Sequence, residues 1–186
     1  MALLTRSGWT MRRTANRPLL LLDIDGVISL WGFEAGGRPP GCFCSVDGIA
    51  HFLSGSAAGH LTRLATSFEL AWCSGWEEKA NEHLPHLLGL GEGLRALPTL
   101  RFAAGPAAAD APRHWKLGAI DAHAGPQRPL AWVDDAHDGS CRQWAARRPG
   151  PTLLVTTHPA VGLTDGHVAE LQRWARDVAA PRRPVT

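Results

Sequence analysis

The chain has 186 residues, of which 45 % are apolar and 19 % charged, with a formal net charge of +2. That length and apolar content suit one domain with a buried core, and the nearly balanced charge lacks the basic face of a typical nucleic-acid binder. Four cysteines are present at Cys42, Cys44, Cys73 and Cys141. They form neither a paired zinc pattern nor a disulfide framework, so reduced, mostly buried thiols in a cytoplasmic protein are expected.

Residues 1–16 carry Arg6, Arg12 and Arg13 and are expected to form a disordered extension, with Met11 an alternative start. The single domain is expected over 17–180, followed by a short tail at 181–186. Leu19–Ile24 (LLLLDI) is an apolar run interrupted by acid, too short for a membrane span and suited to a strand buried on both faces. Residues 29–54 break the pattern with glycine, proline and aromatic residues (WGFEAGGRPPGCF) and are expected to form a flap or hairpin. Ser56–Thr66 reads as a helix, Phe68–Cys73 as a second strand, and Glu77–Leu88 as a helix whose acidic start suits the helix dipole. Thr99–Phe102 is a third strand candidate. His114–Ala124 and Gly139–Arg147 read as helices on either side of the strand Leu130–Val133. Thr152–Thr156 is the fifth strand, and a last helix opens at Thr164-Asp165 and runs through Val168, Leu171 and Trp174.

Alternation of this kind predicts an α/β fold, a doubly wound open parallel sheet of about five strands with helices on both faces. Ligands of such sheets bind beyond the carboxyl ends of the strands. The residues at those ends are Asp23, Asp25 and Gly26 after the first strand, Ser74 and Gly75 after the second, and Asp134 and Asp135 after the fourth. Lys116 stands near the start of the helix ahead of the fourth strand. Four carboxylates in one crevice repel one another unless a cation offsets them, and hard oxygen ligands favour Mg²⁺. One carboxylate of the first pair suits a covalent nucleophile and the other a proton donor and acceptor. Ser74, the amides around Gly75 and Lys116 suit phosphate oxygens. Trp31 and Trp76 follow these motifs and are candidates to line the crevice. Trp72, Trp132, Trp144 and Trp174 fall in apolar patterns and are expected in the core, while the histidines fit no zinc spacing. Asp135 or Asp138 is expected to cap the helix that follows.

The set Asp23-Ile24-Asp25-Gly26-Val27, Ser74, Lys116 and Asp134-Asp135, in that order at strand ends, resembles the haloacid-dehalogenase-like (HAD) hydrolases, over roughly residues 18–156. The resemblance implies Mg²⁺-dependent phosphoryl transfer through an aspartyl-phosphate. In that reading Asp23 is nucleophile and metal ligand, and Asp25 is the general acid/base that also offers its backbone carbonyl to the metal. Ser74 binds the phosphoryl group, Lys116 steadies it, and Asp134 or Asp135 completes the metal site. The second acid is what phosphatase members carry. Too few residues separate the first two strands for a large cap, so a small capless member with an elaborated flap is expected. Its substrate is expected to be a small phosphorylated molecule, with no membrane partner. A nucleic-acid end-processing phosphatase and a catalytically inert binding module of the same fold are the alternatives.

Overall fold

The computed structural model describes residues 17–102 and 114–180; the expected extension at 1–16 and tail at 181–186 lie outside them. Four strands form a parallel sheet: β1 (Leu19–Leu22), β5 (Glu69–Trp72), β6 (Leu130–Asp134) and β7 (Thr152–Thr156), in the order β5-β1-β6-β7. Three more make a separate antiparallel sheet between β1 and β5: β2 (Ser29–Leu30), β3 (Gly41–Val46) and β4 (Ile49–Ser54), in the order β2-β4-β3. The helices are α1 (Ala57–Leu64), α2 (Lys79–Leu87), α3 (Leu117–Ala124), α4 (Gly139–Arg147) and α5 (Asp165–Ala179).

All four leucines of β1 are fully buried, because alternate side chains enter two different cores. Leu20 and Leu22 pack with Leu61 and Leu64 of α1, Leu84 of α2 and Leu171 of α5. Leu19 and Leu21 pack with Leu117 and Ile120 of α3 and with Cys141 and Trp144 of α4. The sheet thus carries helices on both faces, and Trp72, Trp132 and Trp144 are core residues as their patterns predicted.

The sequence order turns back between β1 and β6. The chain goes from β1 to β5 on one side and then crosses to β6 on the other, so the crevice beyond β1 and β6 is the switch point where ligands of such sheets bind.

The expected strand at Thr99–Phe102 does not form. Thr99 makes a single bridge to Trp72, flanked by the bonds Trp72 N–H to Pro98 C=O (2.8 Å) and Leu100 N–H to Trp72 C=O (2.9 Å). Beyond that the segment turns to side chains. Thr99 Oγ1 and Arg101 both donate to Glu78 Oε1 at 3.0 Å, and the Phe102 amide donates to Glu77 Oε1 at 2.9 Å. Among the described residues the parallel sheet therefore has four strands rather than the expected five or so.

The flap is a true hairpin. Val46 pairs with Ile49 across Asp47-Gly48, both at positive φ (52° and 80°), as a two-residue turn matching the twist of its strands requires. Lys79 of α2 donates to Asp47 and so ties the turn back to the main body. Of the cysteines, Cys73 and Cys141 are buried, but Cys42 is exposed on β3 and Cys44 partly so, because both faces of this strand are largely open to solvent. No described helix is long and apolar enough to cross a membrane.

Candidate functional site

At the switch point the first carboxylate leaves the sheet in register with its neighbour. The Asp23 amide donates to the Val133 carbonyl at 3.0 Å, which sets Asp23 beside the end of β6 where Asp134 stands. Lys116, at the start of α3, reaches in between them. Its Nζ lies 2.7 Å from Asp23 Oδ2 and 2.7 Å from Asp134 Oδ2. All three side chains are buried.

Each carboxylate oxygen of Asp23 and Asp134 has at least one donor. The Ile24 amide donates to Asp23 Oδ1 at 2.8 Å, the Ala136 amide to Asp134 Oδ1 at 2.9 Å, and the Trp132 indole to Asp134 Oδ2 at 3.1 Å. Asp134 is thus fixed by three donors and fully buried. Asp135 is half-buried beside it, and oxygens of Asp23, Asp134 and Asp135 all lie within 4.8 Å of one another.

The charges respond to this crowding. Burial, aided by the Asp134 carboxylate, raises the Asp23 carboxyl to about 6 although Lys116 opposes the shift. Burial and Asp134 also push Asp135 above the usual carboxylate range. Burial works against the charge on Lys116, yet Asp23 and Asp134 outweigh it and hold the ammonium above its ordinary value. Burial drives the Cys73 thiol upward, as suits a residue packed in the core.

Gly26 closes the turn after the acid pair. It has φ +73°, and a Cβ there would lie 2.3 Å from the Asp135 carboxyl carbon. Its carbonyl accepts from the buried Thr157 hydroxyl at 2.8 Å, which anchors the turn to the end of β7.

Asp25 stands apart from the cluster. Its Oδ2 accepts from the Trp76 indole at 2.9 Å, and Oδ1 lies 3.6 Å from His51 Nδ1 on β4. His51 in turn meets the Ser29 hydroxyl at 3.0 Å and packs edge-on against Trp76, with ring centroids 4.6 Å apart. These residues border a groove of about 510 Å³ between the flap and the segment after β5, which Gly75, Trp31 and Lys79 also line. Ser74 is buried at the end of β5, its hydroxyl accepting from the Trp76 amide at 3.5 Å. Glu77 closes that turn at φ +47°, an unusual value for a residue with a side chain.

Two compartments therefore meet at the first acid pair. Asp23, Lys116, Asp134 and Asp135 form the inner one, whereas Asp25, Gly75, Trp31 and Trp76 belong to the outer groove. The helix cap falls to Asp138, whose Oδ1 accepts from the Cys141 amide at 3.0 Å, which leaves Asp135 free for the cluster.

Three participants carry no clear sequence signal. His51 meets residues 22 and 26 positions away, through a strand pairing that only the fold creates. The Trp132 indole is hidden by its apolar neighbours, which mark it as core without showing its N–H. Thr157 follows β7 as an ordinary loop residue.

No family model matches the chain, and no curated protein matches it.

Proposed function

We propose that this chain is a Mg²⁺-dependent phosphohydrolase of the HAD-like type, acting on a phosphomonoester through an aspartyl-phosphate on Asp23. The observation that carries this reading is the buried Asp23–Lys116–Asp134 cluster at the switch point, with a second acid, Asp25, one turn away on a groove wall. A buried carboxylate beside a buried ammonium is a costly arrangement for stability alone, and perturbed acids of this kind gather at reactive sites.

The donor set fits a hard divalent ion. Three carboxylates with oxygens within 4.8 Å of one another, set against the single ammonium of Lys116, leave two formal negative charges that a divalent cation would offset. Asp23, Asp134 and Asp135 would hold Mg²⁺ through side-chain oxygens, and Asp25 through its backbone carbonyl as the resemblance implies. When bound, the ion supplies neutralising charge to the phosphoryl oxygens.

The chain's own residues divide the reaction as follows. An Asp23 carboxylate oxygen attacks phosphorus, and the bond from phosphorus to the ester oxygen breaks. Asp25 gives its proton to that oxygen, which leaves as an alcohol. Water then attacks the phosphorus of the aspartyl-phosphate while Asp25 takes a proton from it. The bond to Asp23 breaks, and inorganic phosphate leaves with both acids restored. Lys116 keeps Asp23 oriented and ionised, and Ser74 with the Gly75 amide is assigned to the phosphoryl oxygens.

The test is phosphate release by the parent protein and by Asp23→Asn across sugar phosphates, nucleotides and phosphorylated oligonucleotide ends, with and without a chelator. The parent should turn over at least one ester only with Mg²⁺ present. Asp23→Asn should be inactive yet folded, because Lys116 keeps Asp134 as a partner. Activity of Asp23→Asn within about tenfold of the parent would remove Asp23 as nucleophile. A parent inactive on every ester would favour an inert binding module, and exclusive action on oligonucleotide ends would favour the end-processing alternative.

A further inference from the structure

We infer that the ester cleaved here carries a planar, uncharged ring on its alcohol side and no second phosphate, with the ring resting in the groove beneath the flap. The inference rests on the phosphohydrolase reading and adds to it the class of leaving group.

The direction of the substrate follows from where the two acids face. The phosphoryl group belongs beside Asp23, and the oxygen that leaves must come within hydrogen-bond reach of Asp25. Asp25 is turned out of the ionic cluster and held on the groove wall by the Trp76 indole at 2.9 Å. The alcohol side of the ester therefore extends into the groove. At about 510 Å³ it lies within the size range of small-molecule sites and has room for a ring system with its linker.

The walls set the chemistry of that alcohol. Trp31 is 56 % exposed and Ile49 62 % exposed, and both line the groove with Leu30 and Val46 behind them. A tryptophan left open at the mouth of a catalytic crevice offers a flat face on which a ring stacks. A short polar chain has no flat face to lay on such a surface, and a sugar ring offers it only a puckered C–H face.

Charge sets the second limit. Among the described residues that line the groove, Lys79 has the one permanent positive charge, and its ammonium is bonded to Asp47. Asp25 and Asp47 contribute two carboxylates against it. A second phosphate on the alcohol side would meet no unpaired lysine or arginine and would face carboxylates of its own sign, one of them beside His51. The bond from Lys79 to Asp47 also ties the flap turn to α2, so the flap is positioned over the groove before any ligand enters.

The experiment compares 2-phenylethyl phosphate with n-butyl phosphate. Both release a primary alcohol, so the bond broken and the proton needed are the same and only the remote ring differs. The parent should favour the ring ester in kcat/KM by about tenfold, and Trp31→Ala should bring the two esters close to equality. A nucleoside 5′-monophosphate should be cleaved about tenfold better than the matching 3′,5′-bisphosphate or an oligonucleotide bearing the same terminal phosphate. Equal rates on the two alkyl esters, or a preference for the bisphosphate or the oligonucleotide, would overturn the inference while leaving the phosphohydrolase intact. Calorimetric titration of 2-phenylethyl phosphate into Asp23→Asn separates the two readings further. Binding that Trp31→Ala weakens, together with no turnover by the parent, would sink the phosphohydrolase and keep the groove. Absence of both binding and turnover would sink both.

Discussion

Lys116 and Lys79 each answer carboxylates, one at the sheet edge and one at the flap turn. Lys116 is 3 % exposed and sits between Asp23 and Asp134, which are themselves buried. Lys79 meets Asp47 on the surface, where both side chains are about half exposed. Water screens the outer pair and adds little to its value, whereas the inner three charges have given up their hydration and depend on one another. The difference separates a contact that merely positions a loop from one whose cost calls for a use. It also explains why the inner acids have shifted pKa values raised by burial, while hydrogen bonding and charge from Lys79 lower that of Asp47.

The comparison breaks most directly at the two lysines. Lys116→Met leaves two buried carboxylates without their cation and should cost about 3–5 kcal/mol in urea denaturation. Lys79→Ala should leave the denaturation midpoint nearly unchanged. Similar losses for the two variants would mean that burial does not distinguish them.

Gly26 sharpens the inner half of the comparison. Gly26→Ala demands positive φ from an alanine and drives its Cβ into the Asp135 carboxyl, so a loss of about 1–3 kcal/mol is expected. Because Asp135 must move, Mg²⁺ affinity by calorimetry should fall as well. Unchanged stability with unchanged Mg²⁺ binding would show that the turn does not set the place of Asp135.

The smallest effect concerns an exposed carboxylate that holds backbone rather than a cation. Bonds from the Ser140 hydroxyl and the Cys141 amide hold Asp138 down to about 2. A depressed folded value means that the cap contributes fully above the ordinary carboxylate pKa of about 3.9 and is lost as pH falls through about 2. Asp138→Ala should cost about 1 kcal/mol at neutral pH. Its stability curve should converge with that of the parent toward pH 2, and a constant gap across that range would remove the carboxylate as the source of the cap.

Much of this arrangement is legible before the fold is seen. An all-leucine run ending in acid can hardly be anything but a strand buried on both faces, so Asp23 had to emerge at a sheet edge. The same logic carried Ser74 and Asp134, because periodic apolar runs fix where a strand stops. Thr99–Phe102 was misleading because four residues with the right composition formed only one bridge. Pro98 carries no amide hydrogen, and Glu77 and Glu78 drew the next donors to their side chains. Position along the chain could reveal neither the split between cluster and groove nor the role of His51. Asp23 and Asp25 are two residues apart, yet their carboxylates face different compartments because the chain leaves the strand at the turn that closes on Gly26. Long-range partners such as Trp76, 51 residues from Asp25, exist only once β5 is seated beside β1.

In the proposed function Asp23 carries the phosphoryl group and Asp25 moves the protons. Asp25→Asn should slow hydrolysis of an alkyl phosphate by about 10²–10⁴-fold. It should also let the intermediate build up, because water lacks its base. The direct measurement is mass spectrometry of Asp25→Asn quenched in acid after incubation with Mg²⁺ and an ester that the parent hydrolyses. A phosphoryl adduct is expected on the peptide containing Asp23, absent from the Asp23→Asn/Asp25→Asn double variant. Phosphate on any other residue, or turnover by the parent with no adduct in Asp25→Asn at any time, would contradict that assignment.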